Sequence, residues 1–337
     1  AVFTLLCFWI PCQARNDKTD ALCQLIYCFH NTMTNPITPD LIQLLSCPNC
    51  SNDLLEVNNQ LRCIGCSKEY EIRNGIPLLY PDNINFEHLQ SEETLAKKMR
   101  MPRINLKDKF SSEQWNHSKK EFWGIIRDNI EASPKTIVNI GCGYDAHFKE
   151  FEQSGYLFVN FDLVYEMLYT QQRDFGAKTC VAGDITSLPF KKNSFDYVVC
   201  IDLLHHESDK LLHILKSFWS LIKPGGSLFI EDVNRWGMFQ FYKSVLLPKP
   251  LYMFLRSIYH GLKHSRHKPA EYEFPTSAWK VKKTLSMIGF HNIKIYPNNS
   301  YPSIGPLRFQ VYKFAGRIRR VRKFHNYHYM LSAVKSP

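Results

Sequence analysis

Three groups of residues in this chain have types and spacings that could do chemistry. The first is Cys47-Pro48-Asn49-Cys50, followed after twelve residues by Cys63-Ile64-Gly65-Cys66. Each CxxC turn presents two thiolates to one point, and two such turns close a tetrahedral shell around Zn²⁺. Four-cysteine closure leaves no open position, so the expected metal is structural. The second is Gly141-Cys142-Gly143, which ends the apolar run Thr136–Ile140. Glycine lacks a Cβ, so this turn can take positive φ and let a ligand approach the main chain. The third is a set of acidic residues, Asp162, Asp184, Asp202 and Asp232, each closing an apolar run, with His205-His206 just beyond Asp202. Asp162 comes about twenty residues after the glycines, the spacing at which a second-strand carboxylate reaches a ribose diol. Asp184, with Ile185 after it, then falls beside an adenine amino group. A histidine is the natural proton acceptor near neutral pH. His206 is the first candidate for a base, with His205, Asp202 and Asp232 at the same edge.

These residues need a scaffold that brings strand ends together. The sequence supplies strand-like runs at Leu157–Phe161, Thr179–Ala182, Phe195–Ile201 and Ser227–Glu231, and an amphipathic helix over Leu211–Ile222 stopped by Pro224-Gly225-Gly226. Alternating strands and helices predict a doubly wound α/β sheet, whose carboxyl edge is the ligand edge. Trp115, Phe122, Ile126 and Ile130, with Trp123 beside them, repeat at near-helical spacing and predict a core-facing helix just before the glycine turn. Phe290–Tyr296 and Phe309–Phe314 read as a terminal antiparallel hairpin. The segment between the CxxC pairs reads as a hairpin with Asn58-Asn59 at its tip.

The chain has 337 residues, enough for one main domain and a smaller one. The expected organisation is an extension over 1–32, a zinc ribbon over 33–80, and a linker with some helix over 81–118. The main α/β domain comes next over 119–316, with an insertion at 236–275, and a basic tail over 317–337. Residues 1–32 fit poorly with the rest of the chain, and Met33 opens a clean Met33-Thr34-Asn35-Pro36, so they read as a disordered or non-native extension. The four cysteines Cys47, Cys50, Cys63 and Cys66 apart, Cys142, Cys180 and Cys200 sit in apolar runs and read as buried thiols. That usage fits a reduced, cytoplasmic setting rather than a disulfide scaffold. No apolar run reaches the ~18–20 residues of a spanning helix. The net charge of +11 is uneven: from Arg235 to Pro337 there are 19 Lys and Arg against Glu271 and Glu273 alone. That third should meet something anionic.

The order of these pieces carries a resemblance. Val138-Asn139-Ile140-Gly141-Cys142-Gly143, Phe161-Asp162, Gly183-Asp184-Ile185, Ser194-Phe195-Asp196-Tyr197-Val198-Val199, Leu204-His205-His206 and Leu221-Ile222-Lys223-Pro224-Gly225-Gly226-Ser227-Leu228 resemble a class I S-adenosylmethionine-dependent methyltransferase. The resemblance implies a Rossmann-like seven-stranded sheet and S-adenosyl-L-methionine as cofactor. It places Asn139, Gly141, Cys142 and Gly143 at the amino-acid end, Asp162 and Leu163 at the ribose, and Asp184 and Ile185 at the adenine, with Asp202 closing the cofactor set. Asn139 stands where the family usually has Asp or Glu, and Asp145 where it has a third small residue. The cysteine module resembles small zinc-ribbon proteins that partner methyltransferases, here joined in the same chain. Chelation is then expected to unfold the ribbon and leave the later domain's cofactor binding largely intact.

Methyl transfer from a sulfonium mainly requires alignment and exclusion of water, and needs a base only when the acceptor must lose a proton early. The run Ile201-Asp202-Leu203-Leu204 is not the Asn/Asp-Pro-Pro-aromatic turn used on exocyclic amino nitrogens, and no Pro-Cys nucleophile for cytosine carbon is present. The insertion, with Phe239-Gln240-Phe241-Tyr242 and Leu251-Tyr252-Met253-Phe254-Leu255, suits a small-molecule or lipid-linked acceptor, or a peripheral membrane contact. RNA is the alternative acceptor, with Arg317–Lys323 on phosphates and Phe324, Tyr327 and Tyr329 stacking on bases. A third reading is a non-catalytic module that binds the cofactor or a partner.

Overall fold

The computed structural model describes residues 37–100, 113–132, 135–144, 147–237, 275–298 and 326–337, with Leu251, Phe254, Ile258, Phe314, Arg317 and Ile318. The extension over 1–32, Asp145, most of the insertion, Arg319–Lys323 and Phe324 lie outside the described residues.

The cysteine module comes first. Helix α1 (Pro39–Leu44) is capped by Thr38, whose hydroxyl accepts from the Leu41 N–H. Strands β1 (Leu54–Val57), β2 (Gln60–Cys63), β3 (Glu69–Arg73) and β4 (Ile76–Leu79) then form an antiparallel meander. Its two tight turns are Asn58-Asn59 and Asn74-Gly75, all four residues at positive φ. Asn and Gly tolerate that left-handed backbone, and the primed turns it builds match the twist of a hairpin.

Helix α2 (Phe86–Arg100) comes next, and α3 (Glu113–Arg127) begins inside the stretch expected to be linker. The remaining elements are β5 (Thr136–Ile140), α4 (Phe148–Gln153), β6 (Leu157–Asp162), α5 (Tyr165–Thr170) with a π turn over Gln171–Phe175, and β7 (Cys180–Gly183). After them come a 3-10 turn over Ile185–Ser187, β8 (Phe195–Ile201), α6 (Leu211–Leu221), β9 (Ile222–Val233), α7 (Ala278–Ile288), β10 (Phe290–Tyr296) and β11 (His328–Lys335).

All eleven strands make one sheet in the order β1-β2-β3-β4-β7-β6-β5-β8-β9-β11-β10. Its seven-stranded part, β7 to β10, has parallel β7, β6, β5, β8 and β9 and reverses at β11, which runs antiparallel to both β9 and β10. The cysteine module continues this sheet. β4 pairs in parallel with β7, Leu78 opposite Ala182 and Leu79 opposite Gly183. Ile37–Pro337 accordingly groups as one compact unit.

Both faces of the sheet are covered, so its central strands are nearly continuous apolar runs. On one face Val138, Ile140, Val159, Phe161, Val198 and Ile230 pack against Ile214, Leu215 and Phe218 of α6 and Val281 and Leu285 of α7. The module's Leu54, Leu61 and Tyr70 belong to this same core. On the other face Ile137, Phe158, Val199 and Phe229 meet Phe122, Trp123 and Ile126 of α3, the stripe read from helical spacing.

Two expectations are corrected at the carboxyl end. β10 does form and pairs antiparallel with β11, while Phe309 to Lys313 of its expected partner lie outside the described residues. Residues 328–335 are therefore no tail: Tyr329, Met330, Leu331 and Ala333 are fully buried. Lys335, at the end of this strand, donates to Asn193 Oδ1 at 2.7 Å and to the carbonyls of Trp219 and Ile222 at 2.8 Å. Those three acceptors replace water for a buried ammonium. Tyr329, expected to stack on bases, instead sets its hydroxyl 2.6 Å from Thr276 Oγ1. Among the described residues no helix is long and apolar enough to cross a membrane.

Candidate active site and cysteine cluster

The glycine turn leaves β5 at the carboxyl edge of the sheet. Gly141 has φ +73°, and a Cβ there would lie 2.6 Å from the Leu203 side chain. Gly143 has φ +51° with nothing within 4 Å of a Cβ position, so its main chain faces open space. The turn is tied to β6: the N–H groups of Gly141 and Cys142 donate to the Phe161 carbonyl at 2.8 and 3.1 Å. Asp162 completes the tie, its Oδ2 accepting from the Gly143 N–H at 2.9 Å and its Oδ1 from the Val164 N–H at 3.0 Å. Burial pushes the Asp162 carboxyl up, and these N–H donors oppose that rise. Each carboxylate oxygen keeps a second lone pair for a ligand.

Around this turn the other cofactor candidates gather. Asn139, on β5, is buried, and its Oδ1 has no hydrogen-bond partner among the described residues. A buried acceptor left open at the foot of a glycine turn fits the ammonium of an amino-acid ligand. Asp184 spends Oδ1 on the Thr186 N–H at 2.7 Å, which caps the 3-10 turn carrying Ile185. Its other oxygen can serve an adenine amino group. The carbonyl of Leu163 accepts from the Tyr80 hydroxyl at 2.8 Å. Cys142 is buried within the turn.

Two contributors had no motif to mark them. Gln171, at the start of the π turn, donates from Nε2 to the Gly143 carbonyl at 2.7 Å and so braces the glycine turn from behind. Tyr80 reaches Leu163, next after Asp162, from the end of the cysteine module. Neither has a distinctive spacing; only the pairing of β4 with β7 brings Tyr80 there.

At the ends of β8 and β9 the structure collects Asp202, His205 and Asp232, one ligand atom of each within 4.8 Å of the others. His205 Nδ1 lies 2.6 Å from Asp232 Oδ1, while Asp232 Oδ2 accepts from Thr276 Oγ1 at 3.3 Å. Asp232 is fully buried and His205 is 13% exposed at its side chain, so the ring is held from inside and open on one edge. The His206 ring lies tilted at 37° to it, centroids 4.1 Å apart, and His205 is the ring set against the Asp232 carboxylate. Asp202 adopts φ +56°, and its N–H donates to the Glu231 carbonyl at 2.8 Å. Its carboxylate lies 3.4 Å from His328 Nε2. Because each of the three groups already has a protein partner, they make an oriented imidazole beside an ion-paired carboxylate rather than a vacant metal shell.

The four cysteines of the first module converge. Cys47 and Cys66 place their sulfurs 3.7 Å apart, Cys50 and Cys63 theirs 3.4 Å apart, and all four lie within 4.8 Å of one another. None is in a disulfide. The Gly65 and Cys66 N–H groups point at Cys63 Sγ from 3.3 and 3.4 Å, and the Tyr70 hydroxyl sits 3.1 Å from Cys47 Sγ. Ser51 and Ser67, each next after a CxxC pair, take positive φ. Four sulfurs with N–H donors around them are the donor set of a tetrahedral thiolate site, so the residues fit Zn²⁺.

This cluster abuts the loop that comes after Asp184. The Ser187 hydroxyl donates to the Pro48 carbonyl at 2.6 Å, the Ser46 N–H to the Pro189 carbonyl at 2.9 Å, and the Lys191 N–H to the Leu44 carbonyl at 2.9 Å.

Comparison with known proteins places this geometry. Residues 138–230 match the family described as "Methyltransferase domain". Over 192 residues the chain is 26% identical to a tRNA U34 carboxymethyltransferase of Campylobacter curvus (strain 525.92), covering 52% of this chain and 62% of that protein. Over 118 residues it is 30% identical to phosphoethanolamine N-methyltransferase 1 of Zea mays, covering 34% of this chain and 23% of that protein. The chain thus spans less than two thirds of either curated relative. Among solved structures, a Haemonchus contortus phosphoethanolamine N-methyltransferase 2, in complex with phosphomonomethylethanolamine and S-adenosylhomocysteine, superposes with a TM-score of 0.50 at 14% identity. That match covers 77% of this chain and 62% of that one, and shows a shared fold.

Proposed function

Starting from a chain whose residues 138–230 are a methyltransferase domain, we propose that this protein transfers the methyl group of S-adenosyl-L-methionine to a hydroxyl of a small-molecule or lipid-linked acceptor. The cofactor, when bound, supplies a methyl on a positively charged sulfur, an activated leaving group. The protein's residues do the rest. Gly141 and Gly143 would let the amino-acid end come close to the turn, and Asn139 Oδ1 would accept from its ammonium. Asp162 and Leu163 would hold the ribose, Asp184 and Ile185 the adenine, and the Asp202 carboxylate would serve the cationic centre.

The observation that carries the hydroxyl reading is the 2.6 Å contact between His205 Nδ1 and the buried Asp232. With Nδ1–H donating to Asp232, Nε2 is the basic nitrogen, able to take the acceptor's proton as the methyl arrives. Asp232 fixes the tautomer and stabilises the imidazolium that forms. His205 takes the place of His206, the first choice from sequence, because its Nδ1 is set against the buried Asp232 carboxylate. Cys47, Cys50, Cys63 and Cys66 would hold a structural Zn²⁺, which supplies folding free energy and no chemistry at the transfer site.

Incubating the protein with methyl-labelled cofactor and cell extract, then separating RNA, lipid and small-molecule pools, tests the acceptor class. Label in the lipid or small-molecule pool, lost on treatment that cleaves methyl ethers and kept on mild base that cleaves esters, is expected. Label in RNA would overturn the reading and favour the second one, an RNA acceptor. That alternative is supported by the 26%-identical tRNA-modifying relative and by the basic carboxyl-terminal third. Cofactor binding without turnover on any pool would point to a non-catalytic module.

A further inference from the structure

β11 brings to the site a residue that no motif touches. His328 is buried, 5% exposed at its side chain, at the start of that strand. Its Nε2 is 3.4 Å from Asp202 Oδ1, and its Nδ1 is 3.3 Å from Glu231 Oε1 on β9. The other oxygen of Glu231 accepts from Lys119 Nζ at 3.0 Å, and Lys119 is itself buried on α3. Lys119, Glu231, His328 and Asp202 therefore form a line of alternating charge that runs from α3, across two strands, to the carboxyl end of β8.

The surroundings of this line set its electrostatics. Two carboxylates, Asp202 and Glu231, sit on this line, Glu231 fully buried and Asp202 26% exposed at its side chain. Left to themselves, such groups favour protonation, because burial and like charge both oppose ionisation. Lys119 and His328 reverse that, with His205 on the open side. Burial works against the Asp202 carboxylate, but His328 first, then Lys119 and His205, hold it well below the usual carboxylate range. Burial likewise opposes a charged His328, yet Asp202 and Glu231 outweigh it and push its pKa up to about 9. The ring of Tyr327 lies edge-on to His328, centroids 4.8 Å apart.

We propose that His328 is a positioning residue whose imidazolium, anchored through Glu231 to Lys119, keeps Asp202 ionised and aimed at the positive sulfur of the bound cofactor. The inference rests on the reading that Asp202 lies in the cofactor site. It predicts a function that shape alone would not need: preference for the cationic cofactor over its neutral thioether product, S-adenosylhomocysteine.

Two measurements on the full chain test it. The first is histidine-labelled NMR of the unmutated protein at pH 8, with the His328 signal assigned from its absence in H328Q. Both ring nitrogens are expected to carry protons; a neutral ring at that pH overturns the proposal, and this result does not depend on a variant's binding. The second is calorimetric affinity for S-adenosylmethionine and S-adenosylhomocysteine. H328Q should lower the ratio of the two affinities about tenfold, the scale of one pKa unit of lost interaction. D202N should do the same, and the double variant should lose no more than D202N alone. Equal weakening of both ligands by H328Q would mean that His328 only supports the fold. A ratio that rises would mean that Asp202 stayed ionised without it. Either overturns the proposal while D202N still reports on the site. If D202N leaves the ratio unchanged, the placement of Asp202 beside the cofactor is itself wrong.

Discussion

Stripping the proposed Zn²⁺ from the cysteine cluster should disable cofactor binding, although the four cysteines lie outside the proposed transfer site. A structural Zn²⁺ site contributes on the order of 10–16 kcal/mol to the folding of a small module. A whole domain is stable by only about 5–15 kcal/mol. Removing the metal thus costs as much as the entire margin, and the structure gives the loss a route inward. Leu54, Leu61 and Tyr70 share one core with Val159 and Phe161. β4 covers the edge of β7 through Leu78 and Leu79. Pro48, Ser46 and Leu44 hold the loop 187–191 that comes after Asp184. The module and the cofactor site should therefore fail together, contrary to the independence suggested by reading the two as separate pieces. The assay is stepwise chelation with hydrogen exchange on β1–β4, β7 and residues 184–190, and cofactor affinity measured at each step. Joint loss of protection and at least a tenfold fall in affinity are expected. Loss of protection confined to β1–β3, with β7 protected and affinity unchanged, would refute the reasoning.

The geometry sets four further outcomes. H205N should lower kcat about 10²–10⁴-fold, the usual worth of a general base, with cofactor affinity unchanged in calorimetry. D162A should abolish cofactor-induced thermal stabilisation. It should also destabilise the free protein by about 1–3 kcal/mol in denaturant unfolding, because the Gly143 and Val164 N–H groups lose their acceptor. K119M should cost about 3–5 kcal/mol in the same assay, since it removes the Lys119 partner of the buried Glu231 carboxylate and leaves His328 as the cation facing it. For pH, the sign comes from His328, whose pKa rises from 6.5 to about 9 on folding. Its contribution to stability is complete below about pH 6.5 and is lost as pH rises through about 9. Thermal midpoints measured from pH 6 to 10 should fall across that window, and fall less in H328Q.

Much of the cofactor turn was legible in the sequence because its determinants are local. Gly141 and Gly143 announce positive φ by residue type. Asp162, Asp184, Asp202 and Asp232 announce strand ends because each closes an apolar run. Cys47, Cys50, Cys63 and Cys66 announce a metal shell because a CxxC turn by itself aims two sulfurs at one point. The helix stripe Phe122, Trp123 and Ile126 is equally local, a matter of 3.6-residue periodicity.

What the sequence could not express is choice of partner between segments of similar pattern. His328–Lys335 lies in a stretch read as a basic tail, and only its pairing with β9 and β10 makes it a strand. The basic carboxyl-terminal third likewise hid a strand whose lysine, Lys335, is buried on three acceptors. The preference for His205 over His206 depends on Asp232, which sits 27 positions away on another strand. The ion line from Lys119 to Asp202 needs four elements brought to one edge. By itself, then, the sequence determined the turn, the acidic strand ends and the sulfur cluster, whose geometry is set within a few bonds of each residue. The tertiary structure alone decided which imidazole meets a buried carboxylate, and that the cysteine module extends the main sheet. Those outcomes depend on sheet order and on charges desolvated together, which no single segment encodes.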